Sequence, residues 1–204
     1  MTDRPHEVGT PDTVAPASKP TLVVVSGFPA TGKTLLAHAL ARELGCPAIC
    51  RDEIKEGMVH AAGGEFEAAY GDPLTVRTVA VFGDVLRALL TANVTVVAEA
   101  AFQDRLWRHV LEPLTDLAEL RIVHCKVDAA VAWERARRRL AEPTRAAHAV
   151  GEHVHDLELW QRDFVSFERI SIPAPSIEVD TTDGYAPLLA EVAAFVNRPA
   201  ARAS

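Results

Sequence analysis

Apolar residues in this chain occur in two alternating kinds of run. Short, continuous, β-branched-rich stretches at 21–25 (TLVVV), 47–50, 94–100 (VTVVAEA), 120–127 and 176–179 read as strands buried on both faces. Between them, apolar residues recur at helical spacing. Leu36, Leu40 and Leu44 follow the first strand, and a short helix is expected over 53–59. Residues 75–91 carry Val76, Val79, Val81, Phe82, Val85, Leu86, Leu89 and Leu90, apolar nearly all round, so this helix is expected to be buried on several sides. Leu106, Val110, Leu114 and Leu117 mark a helix over 104–117 bent at Pro113, and Trp133, Ala136 and Leu140 mark one capped by Asp128. Trp160, Phe164 and Phe167 fall in a helix expected over 151–170, and Leu188, Val192 and Phe195 in one over 187–196. Five strands alternating with helices predict an α/β fold, a five-stranded parallel sheet with helices on both faces.

The remaining segments set the boundaries. Residues 1–19 contain Pro5, Pro11 and Pro16 among Thr, Asp, Ala and Ser, with no apolar period, and read as a disordered or loosely docked tail. One domain is expected over 20–198, followed by a short tail over 199–204. A net charge of −7 and a pI of about 5.6 argue against a nucleic-acid-coating protein. No apolar run approaches membrane-spanning length and no signal-peptide core is present, so a cytoplasmic protein is expected. Cys46, Cys50 and Cys125 are odd in number and lack a C-x-x-C spacing, which indicates neither a disulfide framework nor a zinc knuckle. His153 and His155 lack further ligands at metal spacing and read as solvated polar residues.

Chemistry concentrates where the first strand meets the first helix. The intervening Gly27-Phe28-Pro29-Ala30-Thr31-Gly32-Lys33-Thr34 fits G-x-x-x-x-G-K-[ST] in the strand-loop-helix context that the motif requires. Backbone N–H groups at a helix N-terminus converge on an anion, and the glycines allow its close approach. Lys33 is placed to reach the β- and γ-phosphates of a nucleotide, and the Thr34 hydroxyl to hold Mg²⁺.

Two acids end later strands at the same carboxyl edge, where ligands bind in open α/β sheets. Asp52, in Arg51-Asp52-Glu53, is a candidate catalytic base and equally a candidate helix N-cap. Glu99 ends an otherwise apolar strand, a place that suits an acid managing Mg²⁺ through water or aligning an attacking hydroxyl. Five arginines between 135 and 145, followed by His148, are placed where phosphotransferases carry a lid whose arginines neutralise the transferring group. The loop 180–184 is positioned to pass near a nucleotide base. Residues 57–78, with His60, Glu65, Glu67, Tyr70, Asp72 and Arg77, are candidates to shape an acceptor pocket.

Taken together, GFPATGKT, Arg51-Asp52-Glu53, the strand 96–100 ending in Glu99-Ala100, the arginine cluster and Val179-Asp180-Thr181 resemble the small P-loop kinase group. That group includes the kinase domain of phage polynucleotide kinase and chloramphenicol phosphotransferase. The resemblance spans about 20–196 and implies the P-loop fold with strand order 2-3-1-4-5 and an arginine-bearing lid. It further implies Asp52 as general base, Lys55 as an acceptor contact, and Arg135 and Arg139 as lid arginines, with Arg145 as a further candidate beside the nucleotide. Where polynucleotide kinases often carry Asp and a polar pair, this chain has Glu99, Ala100 and Ala101.

The expected activity is transfer of the ATP γ-phosphoryl group to a hydroxyl of a small molecule, such as an antibiotic or a nucleoside in a self-resistance role. Asp52, Lys55, Glu99 and Arg77 are the candidate acceptor-side residues, and ATP and Mg²⁺ the expected cofactors. A 5′-hydroxyl polynucleotide kinase is the nearest alternative, less favoured by the acidic charge. An NTPase switch without an acceptor, or a nucleotide-binding module without catalysis, are more distant.

Overall fold

Strand β1, Thr21–Ser26, lies in the middle of the sheet because 22–25 are apolar on both faces, and all four residues are fully buried. It is flanked by β3 (Val96–Glu99) and β4 (Glu119–Lys126), with β2 (Ala48–Cys50) and β5 (Ser176–Asp180) at the edges. The order is β2-β3-β1-β4-β5 and every pairing is parallel, the expected doubly wound arrangement. A computed structural model describes residues 19–62, 66, 71–140, 147–148 and 152–199. The N-terminal tail over 1–18, most of the C-terminal tail, the acceptor-pocket candidates Glu65, Glu67 and Tyr70, and the lid candidate Arg145 lie outside the described residues.

Alternation along β1 assigns its side chains to two cores. Leu22 and Val24 join Phe82, Leu86 and Leu90 of α3 (Pro73–Thr91) and Trp107 and Leu111 of α4 (Asp104–Leu111). Val23 and Val25 join Leu36 and Leu40 of α1 (Lys33–Leu44) and Val192 and Val196 of α7 (Leu189–Val196). Each such fully buried aliphatic contributes about 1.5–3 kcal/mol relative to exposure, so the sheet centre is the most strongly fixed part of the molecule. A third cluster packs α5 (Ala129–Arg139) against α6 (Leu157–Val165) through Ala132, Trp133, Trp160 and Phe164.

Several helices differ from the pattern expected. Helix α3 buries one stripe, Thr78, Phe82, Leu86 and Leu90, at strict i,i+4 spacing, while Val76 is 65 % exposed. One packed face suffices because α3 has the sheet on one side only. In α4 the buried positions are Trp107 and Leu111, followed by Leu114 in a 3₁₀ turn over Glu112–Asp116, and Leu106 faces outward. The bulky indole of Trp107 fills the space against Phe82 and Phe102, at ring separations of 5.4 and 5.0 Å, and this sets the rotation of the helix. The helix expected over 151–170 is instead a 3₁₀ turn, Glu152–His155, and then α6. Asp156 restarts the helix by accepting hydrogen bonds from the N–H groups of Glu158 and Leu159. Leu188 precedes α7 and is exposed.

Candidate active site

The loop between β1 and α1 is held open from several directions. A Cβ on Gly27 would lie 2.7 Å from Thr31 Oγ1 and 2.8 Å from the Cys125 carbonyl oxygen, so only glycine fits where the loop crosses β4. Gly32 caps α1 with φ 80°, turning the free N–H groups of the first helical turn outward. Ala30 also takes a positive φ, 63°, a conformation costly for a residue with a Cβ and one the sequence did not announce. The Thr31 hydroxyl donates to the Phe28 carbonyl at 2.8 Å, and the Thr181 hydroxyl donates to the Thr31 carbonyl at 2.7 Å, so the loop after β5 buttresses the P-loop. The Phe28 ring packs on Trp160, Phe164 and Phe167 at 4.9, 5.0 and 5.8 Å. The ring is half-buried there, while Pro29 is exposed at the loop tip.

Lys33 is buried, and among the described residues its ammonium meets the Phe28 carbonyl at 3.0 Å and the Glu99 carboxylate at 4.0 Å. Glu99, 4 % exposed at the end of β3, accepts a hydrogen bond from the Thr34 hydroxyl at 3.2 Å. Burial, reinforced by the charges of Asp52 and Glu53, pushes the Glu99 carboxyl above its ordinary range despite the opposing ammonium of Lys33. Lys33, Thr34 and Glu99 are therefore brought together.

Asp52 stands in the first turn of α2 (Arg51–Ala62), inside the helix, so the N-cap role is not the one it takes. Its side chain is 48 % exposed and meets Arg51 at 2.8 Å. Partial burial would raise this carboxyl, but the charges of His148, Arg51 and Lys33 and the Arg51 hydrogen bond outweigh that and hold it below the usual range, hence ionised at neutral pH. His148 also reaches Glu56 of α2 at 3.0 Å, a tie between the segment after α5 and α2 that no spacing rule reveals.

Lys55 is placed differently from the expectation for an acceptor contact. Its side chain is 2 % exposed, and its ammonium donates to Asp72 at 2.9 Å and Thr75 at 2.8 Å. Asp72 caps α3 through the Thr75 N–H at 2.7 Å, so it is part of the α2–α3 joint. Arg77 lies on the exposed face of α3.

On the other side of β1, a cleft of about 640 Å³ is lined by Gly32, Leu35, Arg135, Arg138, Arg139 and the loop 181–185. Arg135 donates to the carbonyls of Thr181 and Thr182 at 2.8 and 2.9 Å, so one of its nitrogens is engaged in fixing that loop. Arg138 is largely exposed beside Glu134, and Arg137 stacks on the Trp133 ring at 4.8 Å. The described residues thus gather the arginines by the P-loop without closing them over it.

Comparisons with known proteins agree with the fold. Residues 22–162 match the family model described as AAA domain. A proposed kinase from Chloroflexus aurantiacus superposes with TM-score 0.76 at 24 % identity, covering 88 % of this chain and 97 % of that one. A gluconokinase from Sinorhizobium meliloti gives 0.55 at 19 %, covering 88 % and 93 %. The APS kinase of Mycobacterium tuberculosis, solved with AMPPNP and APS, gives 0.59 at 14 %, covering 89 % and all of that chain. No curated protein matches the sequence.

Proposed function

The chain belongs to the AAA domain family, and we propose that it is an ATP-dependent phosphotransferase acting on a hydroxyl of a small molecule. The observation that carries the proposal is the meeting of Lys33, Thr34 and Glu99 at the mouth of the P-loop, with ionised Asp52 on the adjoining helix turn. The nucleotide phosphates lie along the 27–34 backbone, and its base enters the cleft beside Leu35 and the loop 181–185. Lys33 exchanges its carbonyl partner for phosphate oxygen. Asp52 accepts the proton of the acceptor hydroxyl as that oxygen attacks, and Arg139 supports charge on the transferring group.

The Thr34 hydroxyl and Glu99 carboxylate are two oxygen donors 3.2 Å apart, a set that fits a hard cation such as Mg²⁺ retaining several waters. When bound, that ion supplies neutralising charge on the phosphates. Lys55 enters the proposal as the residue that fixes α2, and with it Asp52, against α3. The similar gluconokinase supports a small acceptor, as does the net charge of −7, which disfavours a polyanion.

The test is transfer from labelled ATP to a panel of nucleosides, hydroxylated antibiotics, sugars and a 5′-hydroxyl oligonucleotide. Label on one small molecule, reduced about 10²–10⁴-fold in Asp52→Asn with ATP binding retained, is the expected result. Label on the oligonucleotide would make the chain a polynucleotide kinase. Label found only in free phosphate would overturn the proposal in favour of an acceptor-independent NTPase.

A further inference from the structure

One turn along α1 from Thr34, on the side of the helix facing β2, stands a second group of ligand atoms that the proposed transfer does not use. His38 Nε2 lies 2.6 Å from Glu53 Oε1 and 3.6 Å from Cys50 Sγ, and all three ligand atoms fall within 4.8 Å of one another. They come from three elements: α1, the last residue of β2 and the first turn of α2. We propose that His38, Cys50 and Glu53 form a binding site for a borderline-soft divalent cation of the Zn²⁺ class, with a fourth position open to water.

The donor set is the first argument. Imidazole nitrogen, thiolate sulfur and carboxylate oxygen are the ligands Zn²⁺ takes, whereas Mg²⁺ takes oxygen. Geometry is the second. Ligand bonds of about 2.0–2.3 Å in a tetrahedron separate neighbouring ligand atoms by roughly 3.3–3.7 Å. The nitrogen–sulfur separation already has that value. The nitrogen–oxygen separation is a hydrogen bond that must widen by about 0.7 Å to reach it. Both of those side chains are free to do so, being 39 % and 47 % exposed, while the buried Cys50 provides the fixed point.

The surrounding charge is the third argument. Glu53 belongs to the cluster, Asp52 precedes it in the first turn of α2, and Glu99 pairs with Cys50 across β2 and β3, so carboxylates gather at this end of the sheet. A reactive thiolate needs the opposite, a cationic setting. Arg51 already pairs with Asp52 and Lys33 stands 4.0 Å from Glu99, so Glu53, which among the described residues meets the His38 ring, is the carboxylate whose charge a divalent cation on the cluster would balance. On binding, the sulfur–metal bond replaces the S–H bond and the proton passes to solvent. A shallow cavity lined by Cys50, Glu53, Ile54 and Val85 gives the site access.

The test uses metal-free full-length protein without nucleotide, in excess Mg²⁺ to occupy oxygen-only sites, titrated with Co²⁺ as a spectroscopic substitute. The expected result is one equivalent bound with tetrahedral ligand-field bands and a thiolate-to-cobalt charge-transfer band, both displaced by one equivalent of Zn²⁺. Cys46→Ser retains the band and Cys50→Ser loses it. His38→Gln and Glu53→Gln, whose half-exposed side chains make them safe for folding, weaken Co²⁺ binding at least tenfold. Absence of the charge-transfer band in the unaltered protein, its persistence in Cys50→Ser, or unchanged affinity in both His38→Gln and Glu53→Gln would overturn the proposal. None of these readouts depends on phosphoryl transfer, so the site stands or falls separately from the proposed activity.

Discussion

Two buried lysines in this molecule, one at the P-loop mouth and one at the α2–α3 joint, have opposite surroundings. The ammonium of Lys55 is saturated by Asp72, Thr75 and the face of the Phe66 ring, 5.3 Å away. That of Lys33 has, among the described residues, one carbonyl within hydrogen-bond distance and a carboxylate 4.0 Å off. A buried ammonium carries three donors and a large desolvation cost, so the partners it finds among the described residues are a real physical difference between the two. Burial alone would have classed the two together. Among the described residues, partner count separates the lysine that holds two helices together from the one proposed above to meet phosphate.

The largest effect is expected at the saturated lysine. Asp72→Asn leaves the Lys55 charge without its counter-ion and should lower unfolding stability by about 3–5 kcal/mol, read from urea midpoints. Adding Lys55→Met to that variant should restore most of the loss, because the unpaired charge is then gone. Lys33→Met should do the reverse. It should cost about 10²–10³-fold in turnover with an unfolding midpoint near that of the parent, which steady-state kinetics and thermal melts would establish together.

Acid titration sharpens the same contrast. Burial opposes ionisation of Asp72, but hydrogen bonds from Lys55 and Thr75 prevail and depress its carboxyl from 3.8 to about 2. A folded value below the unfolded one means that the stabilisation is complete above about pH 4 and is lost as pH falls towards 2. Urea midpoints measured across that window should fall more steeply for the parent than for Asp72→Asn; parallel curves would remove Asp72 as the titrating group. Thr181→Val, which deletes the donor to the Thr31 carbonyl, should cost about 1–3 kcal/mol. Arg138→Ala should change stability by no more than about 0.5 kcal/mol, since its pairing with Glu134 is at the surface.

Much of the site was legible along the chain because its signals are local. Gly27, Gly32, Lys33 and Thr34 declare themselves by spacing, and Glu99 by being an acid at the end of an apolar strand. Asp52 was legible as an acid at a strand end, but not as a residue within the first helical turn, since Arg51 already begins α2. Lys55 was read through its place in a motif. Its burial depends on Asp72, 17 residues away, which sequence proximity does not express. The same holds for His148 with Glu56, 92 residues apart, and for Thr181 with Thr31, 150 apart.

The sequence by itself determined the sheet, the P-loop and the carboxyl edge on which the acids stand, because strand burial, glycine conformation and helix initiation act over a few neighbouring residues. No described helix is long and apolar enough to cross a membrane, as the absence of long apolar runs required. Only the tertiary structure decided which face of α3 is buried, that Lys55 is paired with Asp72, and that His38, Cys50 and Glu53 converge. Those outcomes depend on how separate elements pack, and packing brings together side chains whose spacing along the chain carries no common period.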